Sequence, residues 1–279
     1  MTGAAILTCE AIFRSGTGIL LLGFPQGLKS VYKKIMPEAM ILPLPETPGY
    51  TLSQRAKEII LEQIVTYDVA VFGPGLSLNS ETIQLIWELI FEIKIPVVID
   101  ADALSALAKG LEVMRSKKSI DFMESYLRRT KNHFILTPHP GEAARILNAA
   151  KFKEYPKIKA EYIENHKEEI ASFMAAKLNS IIVLKGHNTV IAEPSGRVVV
   201  NKVGGPELAT AGSGDVLSGI IGSFIGQNPK KIFEATTTAV FLHGESGKLA
   251  KKIVGERSTI ASDIIRYLPE AIKNTENNL

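Results

Sequence analysis

The sequence predicts an α/β fold, a mainly parallel sheet covered by helices on both faces. Three observations carry this. Short apolar or β-branched runs alternate with amphipathic helical patterns along most of the chain, one segment interrupts that alternation with a hairpin signal, and the composition is that of an ordinary globule. The 279 residues fit a single large α/β unit, so one domain spanning 1–279 is expected. Hydrophobic residues supply 46% and charged residues 22%, which excludes a disordered chain and permits a sizeable core.

The elements follow in order. Ala5, Ile6, Cys9, Ile12 and Phe13 recur at helical spacing, and Gly16 and Gly18 end that helix before the strand-like "ILLLGF". Further strands are expected in "AMILPL", "DVAVFG", "PVVID", "HFILTP", "SIIVLKG", "TVIAEP" and "RVVVN", each bounded by Gly, Pro, Asn or Asp. Residues 51–66, 79–93, 157–178, 229–252 and 259–273 read as amphipathic helices, and "DVLSGIIGSFIG" as a buried one. In "NTVIAEPSGRVVVN" the turn signal Pro194-Ser195-Gly196 joins two short strands, which places an antiparallel hairpin at one side of the sheet.

The formal charge of +3 is mild and the lysines are scattered, so nucleic acid is not expected as a partner. A single cysteine, Cys9, excludes an internal disulfide and fits a reducing compartment. Glu10, Arg14, Lys94 and Asp100 interrupt the apolar runs that could span a membrane, and no basic leader precedes the first apolar residues. A cytoplasmic location without membrane attachment is the expectation.

Ligands in open α/β sheets lie beyond the carboxyl ends of the strands. Four strands there run into polar or glycine-rich loops: "VFGPGLS", "VVIDADAL", "ILTPHPGE" and "VLKGHNT". A fifth loop, "ATAGSGDVLSG", is glycine-rich and opens the buried helix. Gly212 and Gly214 allow a phosphate to approach main-chain amides closely, and the helix start favours negative charge by roughly 0.3–1 kcal/mol per group. Asp215 at that start can cap the helix, or take a proton from a hydroxyl attacking phosphorus, a role worth about 10²- to 10⁴-fold in rate. Neither established phosphate motif is present. GxxxxGK[ST] does not occur, and GxGxxG breaks at Leu217 after Gly212 and Gly214, and at Leu78 after Gly73 and Gly75.

The remaining loops have two readings each. "KGHNT" is either a polar turn with a solvated lysine or a ligand site in which Lys185 offers charge and Thr189 a hydroxyl. His139 and Glu142 are too few for a zinc-type ligand set. Asp100 and Asp102 can hold magnesium through water or cap the following helix, and Gly73 and Gly75 admit either a ligand or an ordinary tight turn.

Taken together, "MTGAA", "VFGPGL", "VVIDADAL", "LTPHPGEAARIL", "VLKGHNTVI" and "ATAGSGDVLSGIIGSFIGQ" occur in an order that resembles the NAD(P)H-hydrate dehydratases, members of the ribokinase-like superfamily, over nearly the entire chain. The GxGD element alone marks only the superfamily, whereas "LTPHPGE" followed by "KGHNT" and "GSGDVLSG" is more specific. The resemblance implies a three-layer α/β/α fold and a repair reaction. A hydrated nicotinamide cofactor, (S)-NADHX or NADPHX, is phosphorylated on its added hydroxyl by ADP or ATP with Mg²⁺, and loss of phosphate restores NADH or NADPH.

By the same resemblance Asp215 is the base. Lys185, Gly186, His187, Asn188, Thr189, Gly212, Ser213 and Gly214 belong to the nucleotide site, and Ala4, Gly75, His139 and Asp215 to the hydrate site. Glu142 matches a position that orients a magnesium-bound water. A separate NAD(P)HX epimerase in the same pathway and a homo-oligomer, a tetramer, are implied as well. Two departures accompany the likeness: Gly205 stands where Asn is common, and the family's opening strand with its glycine-rich segment is not found ahead of "TGAA", so a sheet lacking its first strand is expected. The alternative functions are a hydroxymethylpyrimidine- or hydroxyethylthiazole-type kinase, and a catalytically inactive nucleotide-binding protein.

Overall fold

A computed structural model describes residues 1–116 and 134–277. Six strands form one sheet in chain order: β3 (Ala70–Phe72), β4 (Val97–Ile99), β5 (Phe134–Leu136), β6 (Ile181–Leu184), β7 (Thr189–Ala192) and β8 (Val198–Asn201). The pairs β3–β4, β4–β5 and β5–β6 are parallel, while β6–β7 and β7–β8 are antiparallel. The expected hairpin is therefore β7–β8, paired from Thr189↔Asn201 to Ala192↔Val198 around a turn with Gly196 at φ +95°. β1 (Leu21–Pro25) and β2 (Met40–Leu44) form a separate parallel pair. In "HFILTP", His133 lies outside the described residues.

Side-chain alternation along the strands divides the interior into two cores. Val97, Ile99, Phe134, Leu136, Ile182 and Leu184 pack on one face, beneath helices that include Ser80–Glu92, Pro140–Ala150 and Lys167–Leu178. Val98, Ile135, Ile181, Val183 and Ile191 pack on the other, beneath Ser213–Gln227, Ile232–Val254 and Ala261–Glu276. This is the three-layer α/β/α arrangement with a mainly parallel sheet. β4, β5 and β6 are buried throughout, which explains why their sequences read as continuous apolar runs and not as alternating ones.

Two helical expectations are corrected. Residues 157–178 form two helices, Ala160–Asn165 and Lys167–Leu178, because the backbone of His166 leaves helical geometry at φ −132° and ψ 37°. Residues 51–66 begin instead with a 3₁₀ turn, Gln54–Ala56, capped by Ser53, and become α-helical only over Lys57–Ile64.

The opening helix, Thr2–Arg14, packs tightly on Ser213–Gln227. Gly219 makes the contact possible: a Cβ there would lie 2.4 Å from the Thr8 carbonyl and 2.9 Å from the Ala11 side chain. Thr8 Oγ1 also bonds the carbonyl of Asp215 at 3.1 Å, so this packing reaches the glycine loop. Gly219→Val therefore forces the helices apart at a cost of about 1–3 kcal/mol, seen as a melting temperature lower by roughly 2–10 °C. An unchanged melting temperature means that the helices separate without penalty.

Candidate active site

The five loops singled out above meet at the carboxyl ends of β3 to β6 and the start of the Ser213–Gln227 helix. Gly212, with φ +87°, is the N-cap of that helix, and no side chain caps it. Asp215 therefore stands in the first turn without being the cap. Its carboxyl is pushed up to about 6, first by burial and next by the charge of Asp100, against an opposing effect of Lys185. The causes are thus already present in the protein itself.

Asp100, 1% exposed, follows β4 directly. Its Oδ1 accepts from Lys185 Nζ at 2.7 Å and its Oδ2 from Ser218 Oγ at 2.7 Å. Lys185 follows β6, its amide donates to the Pro138 carbonyl at 2.8 Å, and its ammonium also lies 4.0 Å from Glu142 Oε2. Gly214 leaves room for this ion pair, since a Cβ there would stand 3.3 Å from Lys185 Nζ and 3.7 Å from Asp100 Oδ2. The solvated-lysine reading of "KGHNT" does not describe Lys185, which is 19% exposed and ion-paired.

Asp100 and Asp102 do not act as a pair. Asp102 Oδ2 accepts from the Ser77 amide at 2.8 Å and so ties the "FGPGL" loop to the Ala101–Ser116 helix. Gly73 and Gly75 receive protein backbone: a Cβ on Gly73 would fall 1.7 Å from the Asp100 carbonyl oxygen, and one on Gly75 would fall 2.2 Å from that of Met1 and 3.3 Å from the Ala4 side chain. Ala4 and Gly75 are accordingly neighbours.

His139 and Glu142 form a capping box at the start of Pro140–Ala150. His139 Nδ1 accepts from the amides of Gly141 at 3.0 Å and Glu142 at 3.4 Å, and Glu142 Oε2 accepts from the His139 amide at 2.9 Å. His139 keeps a half-exposed ring, whereas Glu142 is buried. Among the described residues no three His, Cys, Asp or Glu side chains converge as a metal site. A magnesium ion that retains most of its water and binds through one carboxylate and ligand phosphates does not need three.

Ser213 and the 185–189 turn complete the surroundings. Ser213 turns its hydroxyl into the core, 3.1 Å from His243 Nε2, and burial pushes that imidazole down to about 4, so it is neutral at ordinary pH. Gly186 and Asn188 take φ +133° and +56°, and Thr189 Oγ1 donates to the Gly186 carbonyl at 3.2 Å. Ser218, Thr8 and His243 escaped the sequence reading. Ser218 left a usable signal, since it and Ser223 are the hydroxyls of the apolar run "DVLSGIIGSFIG". A cavity of about 390 Å³ lined by Phe134, Glu193, Arg197 and Phe233 lies at the opposite, amino end of the strands and takes no part in this cluster.

The fold is of the ribokinase-like class. A ribokinase from Cryptococcus neoformans in complex with ADP shares the architecture at TM-score 0.55 over 95% of this chain and 86% of that one, and at 13% identity the likeness concerns the fold alone. The profile of the NAD(P)H-hydrate dehydratase family matches residues 1–270, and the chain belongs to that family. It is similar to the bifunctional NAD(P)H-hydrate repair enzyme Nnr of Moorella thermoacetica, with 37% identity over 100% of this chain and 48% of that protein. The chain thus spans about half the length of the first curated relatives it matches. The ADP/ATP-dependent NAD(P)H-hydrate dehydratase of Bacillus subtilis, co-crystallized with ATP/Mg²⁺ and soaked with CoA, superposes at TM-score 0.77 with 26% identity, covering 98% of this chain and 87% of that one.

The raised Asp215 carboxyl sets a stability prediction. Its folded-state value exceeds the ordinary 3.8, so folding favours the protonated acid. The cost of the ionised form is absent below the unfolded value and complete above about 6. Asp215→Asn should therefore raise the melting temperature more at about pH 8 than at about pH 4.5, by several degrees. An equal gain at both pH values removes the carboxyl as its cause.

Proposed function

We propose that this chain restores NADH or NADPH from the (S)-hydrate with ADP or ATP as phosphoryl donor. The single observation that supports this most is the Asp215 carboxyl, held near 6 at the mouth of a glycine-capped helix start, in a chain of this family. A carboxylate of that value is ionised at neutral pH yet basic enough to accept a proton from an alcohol.

In the proposed reaction Asp215 takes the proton of the added hydroxyl as its oxygen bonds to the terminal phosphorus of the donor and the bond to the leaving nucleotide breaks. The amides of Gly212 and Gly214 hold the negative charge on the transferring group, whereas the Ser213 amide, expected to join them, already donates to the Thr210 carbonyl at 3.2 Å. The phosphorylated oxygen then leaves as phosphate while the neighbouring ring carbon loses a proton, and the ring double bond returns. Lys185 and the 185–189 turn receive the donor, and Ala4, Gly75 and His139 line the hydrate side. Magnesium, bound through Glu142 and water, would neutralise phosphate charge. The match to about half of a bifunctional repair enzyme supports an NAD(P)HX epimerase as the pathway partner.

Recovery of absorbance at about 340 nm from purified hydrate plus ADP or ATP tests the proposal, because only the restored dihydronicotinamide ring absorbs there. A stable phosphorylated alcohol with no recovered dinucleotide, as from a vitamin-precursor kinase, or nucleotide binding without turnover, overturns it. Asp215→Asn should lower turnover by at least about 10²-fold while donor affinity stays within a few-fold. Near-normal turnover in that variant removes Asp215 from the role of base.

Lys185→Met should act in two ways. It leaves Asp100 buried without its cation, at a stability cost of about 3–5 kcal/mol. It also removes the charge that holds Asp215 down, so the acid limb of the pH–rate profile, expected near 6 in the parent, moves upward. A limb that moves downward contradicts the assignment.

A further inference from the structure

Lys167 opens the Lys167–Leu178 helix, the end at which the helix dipole disfavours a cation, and its side chain is nonetheless only 9% exposed. Burial of a lone ammonium is costly, so the groups that receive it are informative. Glu164 Oε1 lies 2.8 Å from Nζ, and Nζ donates to the main-chain carbonyl of His187. The kink at His166, between the Ala160–Asn165 and Lys167–Leu178 helices, sets Lys167 at this place.

A third feature makes the room. Gly186 has φ +133°, and a Cβ there would lie 2.9 Å from Lys167 Nζ and 3.1 Å from Glu164 Oε2. His187 stands between two residues of positive φ, Gly186 and Asn188, so the bond from Lys167 reaches the middle of the turn. The neighbouring Lys185 sends its own ammonium to Asp100. The turn is therefore fixed at two points, by Lys185 toward the glycine loop and by Lys167 at His187.

We propose that Lys167 is the positioning residue of the phosphoryl-donor site: its ammonium holds the 185–189 turn in the shape that receives a nucleoside di- or triphosphate. This rests on the reading of that turn as the donor loop. Lys167 is assigned no contact with the hydrate and no proton transfer, so its loss should act on the donor alone.

The experiment measures ADP and ATP binding with magnesium by calorimetry, together with kcat and the separate KM values for donor and hydrate. Lys167→Met should raise the donor Kd and KM by about tenfold, with kcat and hydrate KM within about twofold of the parent. Lys167→Arg, whose guanidinium can still donate to the His187 carbonyl, should recover donor binding to within about threefold. Glu164→Gln, which leaves that bond in place, should also stay within about threefold. Should Lys167→Met fail to fold, Lys167→Leu, which likewise has no donor, carries the same expectation. Unchanged donor binding in the Met or Leu variant overturns the assignment while leaving the functional reading intact. Equal losses for donor and hydrate that Arg does not recover overturn it too, as the mark of a merely structural lysine. A parent chain that binds neither nucleotide overturns the functional reading and this inference together.

Discussion

The buried ion pair between Lys185 and Asp100 is the constraint around which the site is arranged. Asp100 has almost no contact with solvent, and its two oxygens are taken by a lysine from the end of β6 and a serine from the Ser213–Gln227 helix. Three separate elements are thereby fixed to one carboxylate. After burial, the same pair contributes most to the ionisation of Asp215, because Asp100 raises its proton affinity and Lys185 lowers it. Either charge without the other would be costly to bury and would move Asp215 away from the range useful to a base.

Close backbone approach does the rest of the positioning. Gly73 sits on the Asp100 carbonyl and Gly219 on the Thr8 carbonyl, each where a side chain would collide, and Gly214 lies over the ion pair at close contact. Glycine here serves mainly to let one part of the protein touch another. It makes the loops a packed assembly whose parts cannot be shifted singly.

Most of the fold was legible because its signals are local. A buried parallel strand is a short apolar run between turn residues, and β4, β5 and β6 were found that way, as was the hairpin from Pro194, Ser195 and Gly196. The break at His166 was not legible, since the apolar spacing continues through it and only the backbone departs. For the site, Asp215, Lys185 and the glycine loop were visible as residue types in unusual loops. Their partners were not: Asp100 and Lys185 are separated by 85 positions and Asp100 and Ser218 by 118, distances over which a single sequence carries no pairing signal. Asp100 was noticed yet read as a magnesium or capping residue, because an aspartate after a strand serves equally well in each of those tasks.

The start of the Ser213–Gln227 helix is built from main-chain amides and the Asp215 carboxyl, and the imidazole anchoring its first residue is kept in the uncharged form by burial. Neither the amides nor the imidazole can gain or lose a proton across the range in which cells live. Of the three kinds of group that make up this helix start, only the Asp215 carboxyl therefore changes its charge near 6, while the amides and the imidazole that frame it keep theirs.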